Sequence, residues 1–283
     1  MTQYVLDIAA LTDVGIKRDH NEDSWSGPPS SLTPKQRADK GQLYVVADGV
    51  GGHQAGDMAS ALAAETIQQR YYTDPAPDVA TSLLTAIQAA NAQIVHDAGA
   101  RLDQRGMSTT TTAAVLRGDE LTVANVGDSR TYLIHQEHAR QVTVDHSWVE
   151  EQVRAGLIPR EAAAHHPHRN IITRSLGGEI EPQVDIFEEQ VRPGDRVLLC
   201  SDGLSNMVSD QEMRDIVNQD KDADAVVHEL IELARQRGAP DNVTAVLLKI
   251  GHAQGRSRQT WAIRSLLIAL ILWAGVWVLR LLL

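Results

Sequence analysis

Five acidic clusters punctuate this chain at the borders of apolar, strand-like runs: Glu22-Asp23, Asp48-Gly49-Val50-Gly51-Gly52, Gly127-Asp128-Ser129-Arg130, Ser201-Asp202-Gly203 and Asp241-Asn242. Asp48 follows Tyr44–Ala47, Asp128 follows Leu121–Val126 and Asp202 follows Val197–Cys200, whereas Asp241 opens the run Asn242–Ile250. Carboxylates at the rims of neighbouring strands converge, and such a cluster persists only if hard cations neutralise its repulsion. The adjoining glycines permit tight turns and let a backbone carbonyl approach a cation closely. One cluster of this kind is an ordinary strand-end turn. Five in one chain predict a metal site.

The runs between the clusters set the fold class. Strands are predicted over Val5–Leu11, Leu43–Ala47, Thr109–Leu116, Leu121–Val126, Thr131–His135, Val184–Val191, Arg196–Cys200 and Asn242–Ile250. Helices are predicted over Gly56–Tyr71, Asp78–Ala100, Gln211–Val217 and Ala223–Gln236. Connections such as Arg117-Gly118-Asp119-Glu120 are too short for a crossover helix, so strands pair antiparallel and the class is α+β. Between Asp145 and Gly178 the pattern breaks into short helical pieces, with His165, His166 and His168 clustered. Three histidines in a loop can bind a softer metal, or they can simply be solvated.

Composition narrows the function. A hydrophobic fraction of 43% allows a sizeable core, and a formal net charge of −11 argues against a nucleic-acid binder. The one cysteine, Cys200, excludes a disulfide framework. It sits in an apolar run with no phosphate-cradling loop behind it, which favours a core residue over a nucleophile.

Arg18-Asp19-His20-Asn21-Glu22-Asp23-Ser24, Val46-Ala47-Asp48-Gly49-Val50-Gly51-Gly52-His53, Asn125-Val126-Gly127-Asp128-Ser129-Arg130, Ser201-Asp202-Gly203-Leu204 and Pro240-Asp241-Asn242-Val243-Thr244 resemble, in order and spacing, the bacterial metal-dependent protein Ser/Thr phosphatases of type 2C, the PPM family. The resemblance covers about residues 2–250. It implies two antiparallel sheets packed face to face, a helix layer outside each, and metals between the sheets at one edge. Segment 145–178 is similar to the family's flap, which helps choose substrates.

The resemblance also implies a chemistry and a set of roles. Two divalent cations, Mn2+ or Mg2+, with a possible third, would activate a water, so that no protein nucleophile is needed. Asp48 would bridge two ions, with the Gly49 carbonyl reaching one of them. Glu22, Asp202 and Asp241 would hold the other, Asp23 would orient water, and Asp128 with Asp202 would support a third. Arg18, with Asp48 and Asp202, is expected to carry catalysis: its planar fork suits phosphate oxygens, the alternative being a surface ion pair. Asn242 would orient Asp241 or cap its turn, and Gly127, Ser129 and Arg130 would build a turn. Animal members carry a His where this chain has Val50, so the general acid is open; His53 could serve, or could fix its loop.

Beyond the family match, residues 251–264 read as a basic linker with Arg256, Arg258 and Arg264, followed by the apolar run 265–283. As a helix that run is about 28 Å long, close to a hydrocarbon core of about 30 Å. Its twelve Leu, Ile and Val residues contribute on the order of −4 to −7 kcal/mol, against about +3 for one central Arg. Arg280 lies near the end, where it can snorkel. A single-pass anchor is expected, with the basic flank and the catalytic domain cytoplasmic. The other outcome is a helix packed on a partner or on the domain. No secretory leader is visible at the N-terminus.

The resulting expectation is hydrolysis of phosphoserine and phosphothreonine on proteins at the cytoplasmic face of a bacterial inner membrane. The partners are phosphorylated proteins, an opposing Ser/Thr kinase and the membrane, and the chain is expected to be monomeric. A catalytically silent phosphoprotein binder or a membrane scaffold of the same fold is the alternative.

Overall fold

The computed structural model describes residues 4–50, 54–100, 106–163 and 166–251. His53, His165 and the predicted anchor 265–283 lie outside these residues, as does the linker from residue 252. Among the described residues, no helix is long and apolar enough to cross a membrane.

Two antiparallel sheets carry the chain. The first has the order β1 (Val5–Asp13), β11 (Val243–Gly251), β10 (Arg196–Cys200), β7 (Arg130–His135) and β8 (His138–Gln141). The second runs β2 (Asp23–Ser26), β3 (Gln42–Val50), β5 (Thr111–Arg117), β6 (Glu120–Val126) and β9 (Asp185–Gln190), with β4 (Ser108–Thr109) paired to β3. The short loop at 117–120 closes the predicted hairpin: Arg117 pairs with Glu120, and Gly118 takes φ +65° in the turn.

Alternation along the strands builds three apolar layers. Tyr44, Val46, Ala114, Val197, Leu199, Val246 and Leu248 fill the space between the sheets. Leu43, Val45, Ala113 and Val115 point the other way, onto α2 (Gln54–Thr73) and α3 (Val79–Ala100). Leu198, Cys200, Ala245 and Leu247 pack under α7 (Asp210–Val217) and α8 (Ala223–Gln236). Each fully buried Leu or Val contributes about 1.5–3 kcal/mol relative to exposure. The helix-on-sheet, sheet-on-sheet, helix-on-sheet order is the predicted α+β architecture.

Helix starts are set by side-chain oxygens. Asp78 accepts the Thr81 N–H at 2.7 Å ahead of α3, Asp222 accepts that of Ala225 at 2.8 Å, and Ser209 with Glu212 forms a capping box on α7. Elements that the pattern did not show are β2, β8, α1 (Pro34–Lys40) and the one-turn α6 (Asp202–Ser205). The flap supplies α4 (Trp148–Arg154) and α5 (Arg160–Ala163), the short helical pieces expected there. The single strand expected over 109–116 is broken at Thr110, because the Thr110 N–H turns to the Asp48 carbonyl at 2.8 Å.

Candidate metal centre

Strand alternation itself delivers the first carboxylate. Tyr44 and Val46 of β3 face the inter-sheet core, and two residues on, Asp48 is on the same face where the apolar layer ends. Asp23 stands opposite Asp48 in the β2–β3 register. From the same sheet, Asp128 follows β6 across a Gly127 turn at φ +108°, where a Cβ would lie 2.4 Å from Thr110 Cβ. From the other sheet come Asp202, which starts α6 after β10, and Asp241, just before β11.

These acids meet in one cleft of about 240 Å³. Of the eight residues predicted from sequence, seven line it: Arg18, Glu22, Asp48, Gly49, Asp128, Asp202 and Asp241. Asp23 lies beneath, 6% exposed. Larger hollows of about 540 and 560 Å³ lie elsewhere on the surface; the second gathers Asp78, Glu120, Glu188 and Glu189 beside Arg117, but none of the residues predicted from sequence. Val50, Thr110, Asn170 and Ile172 complete the wall. The last two come from the flap and were not foreseen as cleft residues; their only sequence signal was membership of that segment.

Electrostatics mark the cluster as strained. Burial first, then repulsion from Asp23, Asp202, Asp128 and Asp241, pushes the Asp48 carboxyl well above its usual range. Burial and the charges of Asp202 and Asp145 do the same to Asp128. Burial raises Asp202 to about 6, with repulsion from Asp241 and relief from a hydrogen bond with Asp48. Asp23 is raised to about 7 by burial, although its Oδ2 accepts the hydroxyls of Ser201 and Thr244, both at 2.7 Å. Its Oδ1 is buried and has no hydrogen-bond partner. Asp48, Asp128, Asp202 and Asp241 remain half-open to the cleft, Glu22 and Asp23 are buried, and surrounding protein removes most of their hydration.

A buried carboxylate oxygen without a donor, beside acids that raise one another's pKa, is the donor set that hard divalent cations take. The residues therefore fit the expected ions. As they stand, no three His, Cys, Asp or Glu side chains among the described residues close a cage around one point. Arg18 and the Asp48–Asp202 hydrogen bond occupy oxygens that an ion would use.

The supporting shell is tightly built. Arg18 Nη2 is 2.9 Å from Asp241 Oδ2 and its Nη1 3.8 Å from Glu22 Oε1, so the ion pair considered as an alternative exists inside the cleft itself. Asn242 orients more than Asp241: its Oδ1 accepts the Glu22 N–H at 2.8 Å and its Nδ2 donates to Val14 and His20 carbonyls, each at 2.9 Å. Gly49 and Gly56 approach so closely that a Cβ on Gly49 would sit 2.2 Å from the Gly56 carbonyl oxygen, and a Cβ on Gly56 would sit 2.3 Å from Glu22 Oε2. Ser129 bonds Thr110 at 2.8 Å, and Arg130 holds Asp145 with three contacts of 2.7–3.1 Å, so both brace the turn as expected. Cys200 is fully buried, and burial pushes its thiol up to about 12, which removes it as a nucleophile. In the flap, His166 packs tilted and His168 edge-on against Trp148 at ring separations of 5.1 and 5.2 Å, and neither histidine lines the cleft.

Comparison with known proteins bears on the family and the fold. The model of the family described as protein phosphatase 2C matches residues 17–248. The serine/threonine phosphatase stp of Listeria innocua is 38% identical over 242 residues, which span 84% of this chain and 93% of that protein. The crystal structure of the Mycobacterium tuberculosis serine/threonine phosphatase PstP/Ppp superposes with a TM-score of 0.77 at 37% identity, covering 87% of this chain and 99% of that one. A crystal structure of a PstP catalytic domain in complex with two manganese ions gives 0.74 at 36% identity, covering 88% and 100%.

Proposed function

Since this chain belongs to the protein phosphatase 2C family and is a protein serine/threonine phosphatase, we propose that its cleft hydrolyses phosphoserine and phosphothreonine with two divalent cations, Mn2+ or Mg2+, and room for a third. The observation that carries the assignment is the meeting of Glu22, Asp48, Asp128, Asp202 and Asp241 with Arg18 in one cleft, above the unpartnered Oδ1 of Asp23.

In this reading Asp48, the Gly49 carbonyl, Glu22, Asp202 and Asp241 would hold the two ions, and Asp128 with Asp202 would serve a third. When bound, such ions polarise phosphate oxygens and lower the pKa of a water. The chain's own residues do the rest. Arg18 exchanges its contact with Asp241 for two phosphate oxygens, a bidentate match of fork to anion. Asp23, fixed by Ser201 and Thr244, offers Oδ1 to orient a water. Asn170 and Ile172 wall the mouth and limit access of bulk solvent. No side chain is needed as a nucleophile.

The run 265–283 is proposed to anchor the enzyme in a bacterial inner membrane with the catalytic domain cytoplasmic; its length, its apolar residues on all sides and the basic flank support this. Phosphoproteins made by a Ser/Thr kinase are the proposed substrates, and the chain is taken as a monomer. Hydrolysis of p-nitrophenyl phosphate and of a phosphothreonine peptide, with Mn2+, Mg2+ or chelator, tests the chemistry; turnover that survives chelation would overturn it. Carbonate washing of membranes from cells expressing the full chain, or a form ending at Gly255, tests the anchor, which extraction of the full chain would refute.

A further inference from the structure

The turn that presents Asp128 is held by a side chain of the flap. Gly127 needs its left-handed φ to enter the turn, and its peptide is gripped from both sides by His146. The ring Nδ1 accepts the Gly127 N–H at 3.1 Å, and the His146 N–H donates to the Gly127 carbonyl at 2.9 Å. A ring nitrogen that accepts carries no proton, so the neutral ring holds its proton on Nε2. There, Asp185 Oδ2 lies 3.2 Å away at the start of β9. The other Asp185 oxygen takes Arg174 at 3.2 Å, and Arg174 Nη1 faces Nε2 at 3.3 Å, donor against donor, so Asp185 orders both. The His146 side chain is 3% exposed, and both ring nitrogens are committed to polar partners.

The same residue ties the turn to the cleft mouth. Its carbonyl accepts the Thr173 N–H at 2.8 Å, and the next residue, Ser147, bridges Ile172. Ile172 and Asn170 line the cleft opposite the acids. We infer that His146 is a positioning residue, whose Nδ1 sets the Gly127–Asp128 turn while its backbone fixes the flap segment at residues 171–173, so that the Asp128 carboxylate and the flap wall move as one. Packing alone would not require a ring acceptor aimed at the N–H beside a candidate ligand. The inference rests on the proposed role of Asp128 in holding a cation.

Two isosteres separate the ring's functions. In His146→Asn the amide oxygen stands near the position of Nδ1 and can still accept the Gly127 N–H. In His146→Gln the amide reaches toward Asp185 and leaves that N–H without its acceptor. Partners that orient ligands are worth about 10- to 100-fold in metal affinity. The test is calorimetric titration of Mn2+ into the metal-free full chain in detergent, for wild type, both variants and Asp128→Asn, with a thermal melt of each. The expected result is that Gln weakens, by about tenfold or more, the same transition that Asp128→Asn loses, whereas Asn keeps it near wild type. Equal weakening by Asn and Gln, in step with their melting temperatures, would mean a structural role only and overturn the inference. Loss in Asp128→Asn without loss in Gln would overturn it while leaving the site assignment intact. An unchanged titration for Asp128→Asn would overturn the assignment of Asp128 and this role with it.

Discussion

Asp23 and Asp48 stand directly opposite each other on the β2–β3 ladder, a placement that sets two carboxylates side by side inside the protein. Like charges in that position destabilise a sheet. The hydroxyls of Ser201 and Thr244 offset part of this strain at Asp23, and protonation or a cation would relieve the rest.

Asp48→Asn is accordingly expected to act in two directions. In chelator it should raise the melting temperature by removing one of the repelling charges, and in Mn2+ it should lower turnover by about two orders of magnitude or more. Asp202→Asn should behave alike. Near wild-type turnover at saturating Mn2+ in either variant would remove that residue from the site.

Arg18→Ala should raise KM for a phosphopeptide, with kcat falling as well only if the contact tightens in the transition state. Asp241, which Arg18 now holds at 2.9 Å, is freed by the change. Steady-state kinetics on p-nitrophenyl phosphate and a phosphopeptide decide it; unchanged constants on both would make Arg18 part of the scaffold.

Cys200 should be inert. With its thiol buried and raised to about 12, no thiolate is present near neutral pH. Treatment of the native enzyme with iodoacetamide should leave activity intact and the cysteine unlabelled, and labelling should appear only in denaturant. Rapid inactivation of the folded enzyme would contradict this.

His146 gives stability a pH dependence of known sign. Burial lowers its pKa below the ordinary 6.5, against the raising effect of Asp185. The unfolded chain then binds the proton more readily, so the contribution is intact above about pH 6.5 and is lost as pH falls toward the lower folded value. Urea unfolding of metal-free protein between pH 5 and 8 should show the wild type losing stability relative to His146→Asn on acidification. Parallel curves would place the histidine's titration elsewhere.

Asp48, Asp128, Asp202 and Asp241 were legible in the sequence because each borders a long apolar run, and β3, β6, β10 and β11 formed from those runs. β2 was not, since Asp23-Ser24-Trp25-Ser26 has no inward alternation and becomes a strand only by pairing with β3. The helix over 34–40 carries a capping box at Thr33 and Gln36 but buries no residue, so it shows no apolar stripe. Arg18, Glu22 and the five Asp residues could be placed by motif. Asn170, Ile172 and the ring of His146 could not, because their partners are brought to them by packing of the flap rather than by any local pattern.

The cleft is the open end of the layer that contains Val46, Val197, Leu199, Val246 and Leu248, and its acids hang from both sheets: Asp48 and Asp128 from one, Asp202 and Asp241 from the other. The thickness of that layer, about 10 Å between sheets, is therefore a gauge for the gap across which oxygens face one another. One methylene more at Val46 or Val246 would widen the gauge without touching the cleft. The spacing of the acids on the two sheets is in this sense set by aliphatic side chains that do not line the cleft.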